Sequence, residues 1–294
     1  MTARIQSVAI LFVLASTLAH TAVAGVNLVQ NGNFNDVSYN GTAPAGITTL
    51  FGQFGTGQGS NLTVANWTTT GYNFVYAPGT ADSGSRSGGA NVGAPNEAPS
   101  LFNSSTTGFG ITYLYGPNNE AADGVSGATL PATSPLGNNF VAGDGGYIVD
   151  AISQTINGLE VNKAYELTFY WGGVEQESFS GGTTENWTVS LTDSGGNGQS
   201  FTTADVNNPI TGEFSGWLQQ KYVFIATAPT ETLAFLAAGA PSSEPPFSLL
   251  ADVSLEIVPD FSHWLLFAGF GGLAMTVEVL RRRKQQSELV LSAV

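Results

Sequence analysis

Leu249-Leu250-Ala251-Asp252-Val253-Ser254-Leu255-Glu256-Ile257 is the stretch that decides the fold of this 294-residue chain. Side chains of an extended strand point alternately to opposite faces, so a period of two marks a half-buried strand. That spacing predicts Leu249, Ala251, Val253, Leu255 and Ile257 inward, with Asp252, Ser254 and Glu256 outward. Working outward, the same period returns in Tyr165, Leu167, Phe169 and Trp171, with Glu166 and Thr168 on the other face. Trp187, Val189 and Leu191 form another inward set, ended by Asp193-Ser194-Gly195-Gly196. Tyr222, Phe224 and Ala226 follow, then Leu233, Phe235 and Ala237. Ile152-Ser153-Gln154-Thr155-Ile156 runs into Asn157-Gly158, a turn pair. Nearer the start, Leu62 to Trp67 and Tyr72 to Tyr76 alternate as strands do, whereas residues 77–139 read as long loops around Ile111 to Tyr115. No useful helical period occurs between residues 25 and 258. Short strands with glycine-rich turns predict an all-β, antiparallel β-sandwich.

Composition narrows the chemistry. Residues 25–258 hold three basic side chains, Arg86, Lys163 and Lys221, against 19 Asp plus Glu, a net charge of −16. Such a surface repels phosphate backbones, which argues against a nucleic-acid partner and leaves cations or neutral partners such as polysaccharide. There is no cysteine, and both histidines, His20 and His263, fall outside this span. Ser-His-Asp and Cys-His catalysis and imidazole or thiolate metal sites are therefore excluded within it. Carboxylate chemistry and hard cations remain.

The ends of the chain carry targeting patterns. Arg4 precedes the short apolar run Val8 to Ala15, and Ala22-Val23-Ala24 is a small-x-small cleavage site, so residues 1–24 read as a signal peptide. Phe261 to Leu280 is apolar enough and, at 20 residues or about 30 Å as a helix, long enough for a single C-terminal transmembrane helix. Arg281-Arg282-Arg283-Lys284 after it is a stop-transfer cluster, with residues 285–294 as a cytoplasmic tail.

Val258-Pro259-Asp260, then Trp264, the apolar run and Arg281-Arg282-Arg283 resemble the tripartite PEP-CTERM sorting signal. Asp260 stands where that family has Glu, and Phe261 replaces its second Pro. The resemblance implies a sorting segment at 258–284, an exosortase-type processing partner, and the envelope of a Gram-negative, exopolysaccharide-making bacterium. The span 25–257 resembles galactose-binding-like jelly rolls, as found in carbohydrate-binding modules. It does so through Asn27 to Phe34, Trp67, Ile152 to Leu159, Tyr165 to Phe169 and Ala251 to Leu255. By position, that resemblance implies a structural calcium held by Asn33 or Asp36 with Asp252.

Sugar recognition needs aromatic faces framed by amides and carboxylates. Trp67, Tyr76, Tyr170 and Trp217 are the chosen aromatics, from a wider set with Tyr72, Tyr113, Tyr115 and Trp187. Paired carboxylates could hydrolyse glycosides, and Glu175, Glu177 and Glu185 cluster in one segment, although clustering in sequence fixes no distance between them. Three readings stay open: a non-enzymatic envelope or biofilm-matrix protein meeting exopolysaccharide, a lectin-like module with a defined sugar, and a glycoside hydrolase. The first is the expectation, with no catalytic residue assigned.

Overall fold

The computed structural model describes residues 25–41, 49–57, 59–81, 112–116, 130–177 and 179–259. The expected signal peptide with Ala22 and Ala24, the transmembrane segment, and Asp260, Trp264 and Arg281 to Arg283 lie outside them. Among the described residues there are thirteen strands and no helix, hence none long and apolar enough to cross a membrane. The strands are β1 Val37–Tyr39, β2 Gly52–Gln53, β3 Leu62–Val64, β4 Asn73–Tyr76, β5 Phe140–Asp144, β6 Ile152–Asn157 and β7 Ala164–Glu175. They continue with β8 Thr183–Thr192, β9 Gly198–Thr202, β10 Val206–Asn208, β11 Leu218–Ile225, β12 Thr230–Ala240 and β13 Pro246–Ile257.

Two large antiparallel sheets carry the molecule, beside a two-stranded antiparallel pair of β1 and β3. The first runs β11-β7-β13-β5-β4-β2; the second runs β10-β8-β12-β6, with β9 also paired to β8. Their facing sides meet in one core, where Leu167, Phe169 and Trp171 of β7 oppose Trp187, Val189 and Leu191 of β8 and Phe235 of β12. The alternation expected for these strands holds. Trp187 is fully buried and its indole N–H donates to Leu249 O at 2.9 Å, so its polar atom enters the core satisfied, whereas Trp171 Nε1 is buried without a partner.

The deciding strand departs from its own pattern. In β13, Leu250, Val253 and Leu255 face the core between the sheets, while Leu249 and Ala251 join a second apolar cluster on the opposite face. The reason is a β-bulge between Ala251 and Ser254 with Asp252 at φ 52°, which inserts a residue and reverses the phase of everything before it. The expectation that Leu249 and Ala251 share a face with Val253 is corrected on this ground. Asp252 tolerates the left-handed conformation better than a β-branched residue would.

The second cluster closes the outer face of the first sheet with Phe74, Tyr76, Phe140, Phe214, Phe247 and Leu114. Strands β4 and β5 are buried on both faces, which is why β5 reads in sequence as a short apolar run beside glycines and not as an alternating strand. The expected strand Ile111 to Tyr115 is, in its described part, an extended segment bridged to the first sheet only at Leu114, opposite Gln176. Among the described residues the second sheet has no such cover.

Candidate functional site

The sandwich alternates inward and outward side chains, and this decides the fate of each expected sugar-binding aromatic. Trp67 is 4% exposed, packed at 5.2 Å centroid distance on Phe34 and 6.2 Å on Phe235, with its indole N–H donated to Asn31 O. Tyr76 is fully buried and its hydroxyl donates to Thr112 O at 2.6 Å. Neither offers a ring face to a ligand, because each is an anchor of a core cluster. Tyr170 and Trp217 are half-buried against the second cluster, Trp217 edge-on to Phe140 and Phe214 at 5.6 and 5.7 Å. These two sit on the side of the first sheet that loops already cover.

A polar cleft of about 400 Å³ opens elsewhere, at the β6 edge of the second sheet. Gln30, Asn66 and Thr68 form one wall. Ser153, Gln154, Thr155 and Asn157 of β6, with Thr232 of β12, form the other. Local geometry explains the lining. Val64 to Trp67 closes a turn, Trp67 N–H donating to Val64 O at 3.0 Å, and Asn66 sits at φ 68°, a conformation Asn adopts readily. The turn drives Trp67 into the core, and its neighbours Asn66 and Thr68 line the cleft. Thr68 and Ser153 then exchange both backbone bonds at 2.9 Å. Gln154 fastens the wall: its amide accepts from Gln30 N–H and donates to Gln30 O, each at 2.8 Å.

Every side chain in this lining is neutral and bears a hydroxyl or an amide. Hydroxyls donate and accept, and amides do both at separate atoms, so the cleft matches a ligand with many neutral hydroxyls and holds no side chain of opposite charge for an ionic one. Sequence reasoning missed it because Ser153, Thr155, Asn157 and Thr232 are the outward polar positions of β6 and β12, Gln154 is a polar residue in the inward phase, and a distant N-terminal segment completes the cleft.

The three positions expected to hold calcium are only partly brought together. Asp36 is exposed, and its backbone N–H and C=O are tied to the side chain of Asn31. Asn33 accepts from Asn35 N–H at 3.3 Å. The side chain that reaches Asp252 is Asn138, donating to Oδ1 at 2.8 Å, and Asn35 donates to Asn138 at 2.9 Å. Asn139 adds a bond to Phe34 O at 2.9 Å. Asp252 Oδ2 is buried without a hydrogen-bond partner. One orphaned carboxylate oxygen beside amide and carbonyl oxygens suits a hard cation. Among the described residues, though, no three acidic, His or Cys side chains form a metal-holding group.

Two of the three clustered glutamates enter the space between the sheets near enough for the charge of one to act on the other. Glu175 of β7 and Glu185 of β8 both follow the inward phase, one from each sheet, and are 1% and 0% exposed. Gly173 makes the room: a Cβ there would lie 2.2 Å from Glu185 Oε2. Burial pushes both carboxyls up to about 7, against the pull of Gly212 N–H on Glu175 and of Thr183 and Asn208 on Glu185. The charge of Glu244 raises Glu175 further, and Glu175 does the same to Glu185.

Fold and site together define an all-β, two-sheet domain with a neutral, hydroxyl-and-amide cleft at one sheet edge. No family model matches this chain, and no curated protein matches it. Among solved structures it is similar to a family 61 carbohydrate-binding module in complex with β-1,4-galactotriose, at 16% identity over 43% of this chain and 75% of that one, TM-score 0.29. It is also similar to the N-terminal cellulose-binding domain of a Cellulomonas fimi β-1,4-glucanase, at 18% identity over 42% and 79%, TM-score 0.25. A third is an adhesin domain of Lys-gingipain from Porphyromonas gingivalis, at 12% identity over 43% and 78%, TM-score 0.28. Likeness at this level says nothing about ligand or activity.

Proposed function

We propose that the sandwich is a non-catalytic carbohydrate-binding domain and that the neutral cleft between Asn66, Thr68 and β6 is its sugar site. The observation that carries this reading is the lining: eight uncharged hydrogen-bonding side chains gathered in one cleft, in a domain whose charged residues are 19 Asp and Glu against three basic ones. A neutral polyol exchanges hydrogen bonds to water for bonds to these groups at little cost, whereas a buried charge would find no counter-charge there. The buried, closed setting of Glu175 and Glu185 supports a binding role over glycoside cleavage.

Thr155→Arg places a long cation at the exposed centre of the cleft wall. Glycan-array and calorimetric binding should fall at least tenfold with the melting temperature unchanged. Full binding by this variant, or no glycan bound by the native chain, would sink the reading.

The ends of the chain set the same reading in an exported envelope or matrix protein, its ligand an exopolysaccharide, held by a C-terminal segment open to exosortase-type processing. A calcium ion at Asp252 belongs to the proposal as a brace between the N-terminal segment and β13. Added calcium should raise the melting temperature by a few degrees relative to chelator, and Asp252→Ala should abolish the difference. An equal response in that variant would place the ion elsewhere.

A further inference from the structure

The two sheets differ in what covers them. The outer face of the first is closed by the second apolar cluster, whereas among the described residues no such cluster covers the outer face of the second, and its side chains fall into register. Directly opposed residues in antiparallel strands project from the same face. One row reads Gly198, Thr192, Thr232, Thr155 across β9, β8, β12 and β6. The next reads Ser200, Ser190, Ala234, Ser153. A third reads Thr202, Thr188, Leu236, with the Thr188 and Thr202 hydroxyls bonded at 3.1 Å.

These rows contain no charge and no aromatic ring, although the domain is strongly acidic. The nearest acidic side chains stand at the borders: Asp193 in the turn past Thr192, and Asp205, which accepts from Asn186 at 2.7 Å. Strands lie about 4.8 Å apart and rows about 6.8 Å apart, so the face is a grid of small hydroxyls roughly 15 Å wide with an aliphatic strip at Ala234 and Leu236. Ser153, Thr155 and Thr232 belong both to the rows and to the cleft wall, so cleft and grid are one surface.

We infer that this hydroxyl face continues the cleft as a docking surface for an extended chain of a neutral polysaccharide lying across the strands. The inference rests on the sugar reading of the cleft and deepens it by extending the bound chain beyond the cleft across the sheet face. A chain crossing β6, β12, β8 and β9 meets a hydroxyl or a small aliphatic group at each strand, matching the alternation of hydroxyl rims and C–H faces along a pyranose chain. A protein partner fits less well, because interface cores draw on Trp, Tyr, Met and Arg, none of which stands in these rows.

The test separates polymer from monomer. Soluble neutral glucan, galactan, mannan and xylan are run against the native chain by affinity electrophoresis, and their monosaccharides by calorimetry. The native chain should bind one of these polymers at least tenfold more tightly than its own monosaccharide. Thr188→Arg/Ser200→Arg, both outside the cleft, should lose that tenfold margin and keep monosaccharide binding. Ser200→Arg alone, on β9 at the sheet edge, serves if the double variant fails to fold. Polymer affinity undiminished in either folded variant, with monosaccharide binding intact, overturns the inference and leaves the cleft reading standing. A native chain that binds neither polymer nor monosaccharide overturns both.

Discussion

Gly32→Ala will lower the melting temperature by about 10 °C, the loss of about 3 kcal/mol expected when a methyl group is forced into a packed backbone contact. A Cβ at residue 32 would lie 2.0 Å from Val253 O and 3.0 Å from Val253 C. The obstacle is backbone, not the end of a flexible side chain. It cannot retreat easily, because Val253 N–H donates to Gly32 O at 2.9 Å and the adjacent Asp252 is the bulge residue at φ 52°. Gly158→Ala is the control: its Cβ would meet no atom within 4 Å, and only its φ of 84° resists, a cost of about 1–2 kcal/mol. Thermal melts of both proteins check the order. A Gly32→Ala protein that melts within two degrees of the native one would show that the bulge yields.

Glu185→Gln will diminish a fall in stability that the native chain suffers between about pH 4.5 and pH 7, a fall that Glu185 shares with Glu175 and Asp144. The sign follows from the raised pKa. An unfolded chain ionises Glu185 near 4.5, whereas the folded chain keeps its proton to about 7, because burial penalises the charge. The folded state therefore holds more protons across this window, and stability is greatest below it and declines as pH rises through it. For this fully buried group the loss is on the order of 3 kcal/mol. Glu175, raised to about 7 on the partner sheet, acts in the same direction. Asp150 runs the other way: the Thr70 hydroxyl and N–H hold its carboxylate below the usual range, so its contribution disappears in stronger acid. The native chain should be most stable near pH 4 to 5. Glu160→Gln, which removes the same charge from an exposed site, should leave the decline intact. Denaturant melts across pH 4 to 8 measure it, and an undiminished decline in Glu185→Gln would refute the account.

Most of the strand inventory was legible because one physical rule writes it. A half-buried strand must alternate, and Tyr165 to Trp171, Trp187 to Leu191 and Leu233 to Ala237 do so and face the core as expected. Strand β5 was not legible, since burial on both faces erases the alternation. The bulge at Asp252 was not legible either, because a single inserted residue leaves the local period intact on each side of it.

The sequence by itself determined the all-β character, the acidic surface, the absence of histidine and cysteine chemistry from residues 25–258, and the polar phase of β6, β8 and β12. Those are properties of composition and of nearest neighbours along the chain. Only the tertiary structure decided that Trp67 and Tyr76 are core anchors, that Glu175 and Glu185 enter the space between the sheets, and that Asn66 and Thr68 meet β6 to form a cleft. Aromatic rings and carboxylates look alike in sequence whether they point inward or outward, and only the packing of two sheets and their loops settles which side faces water.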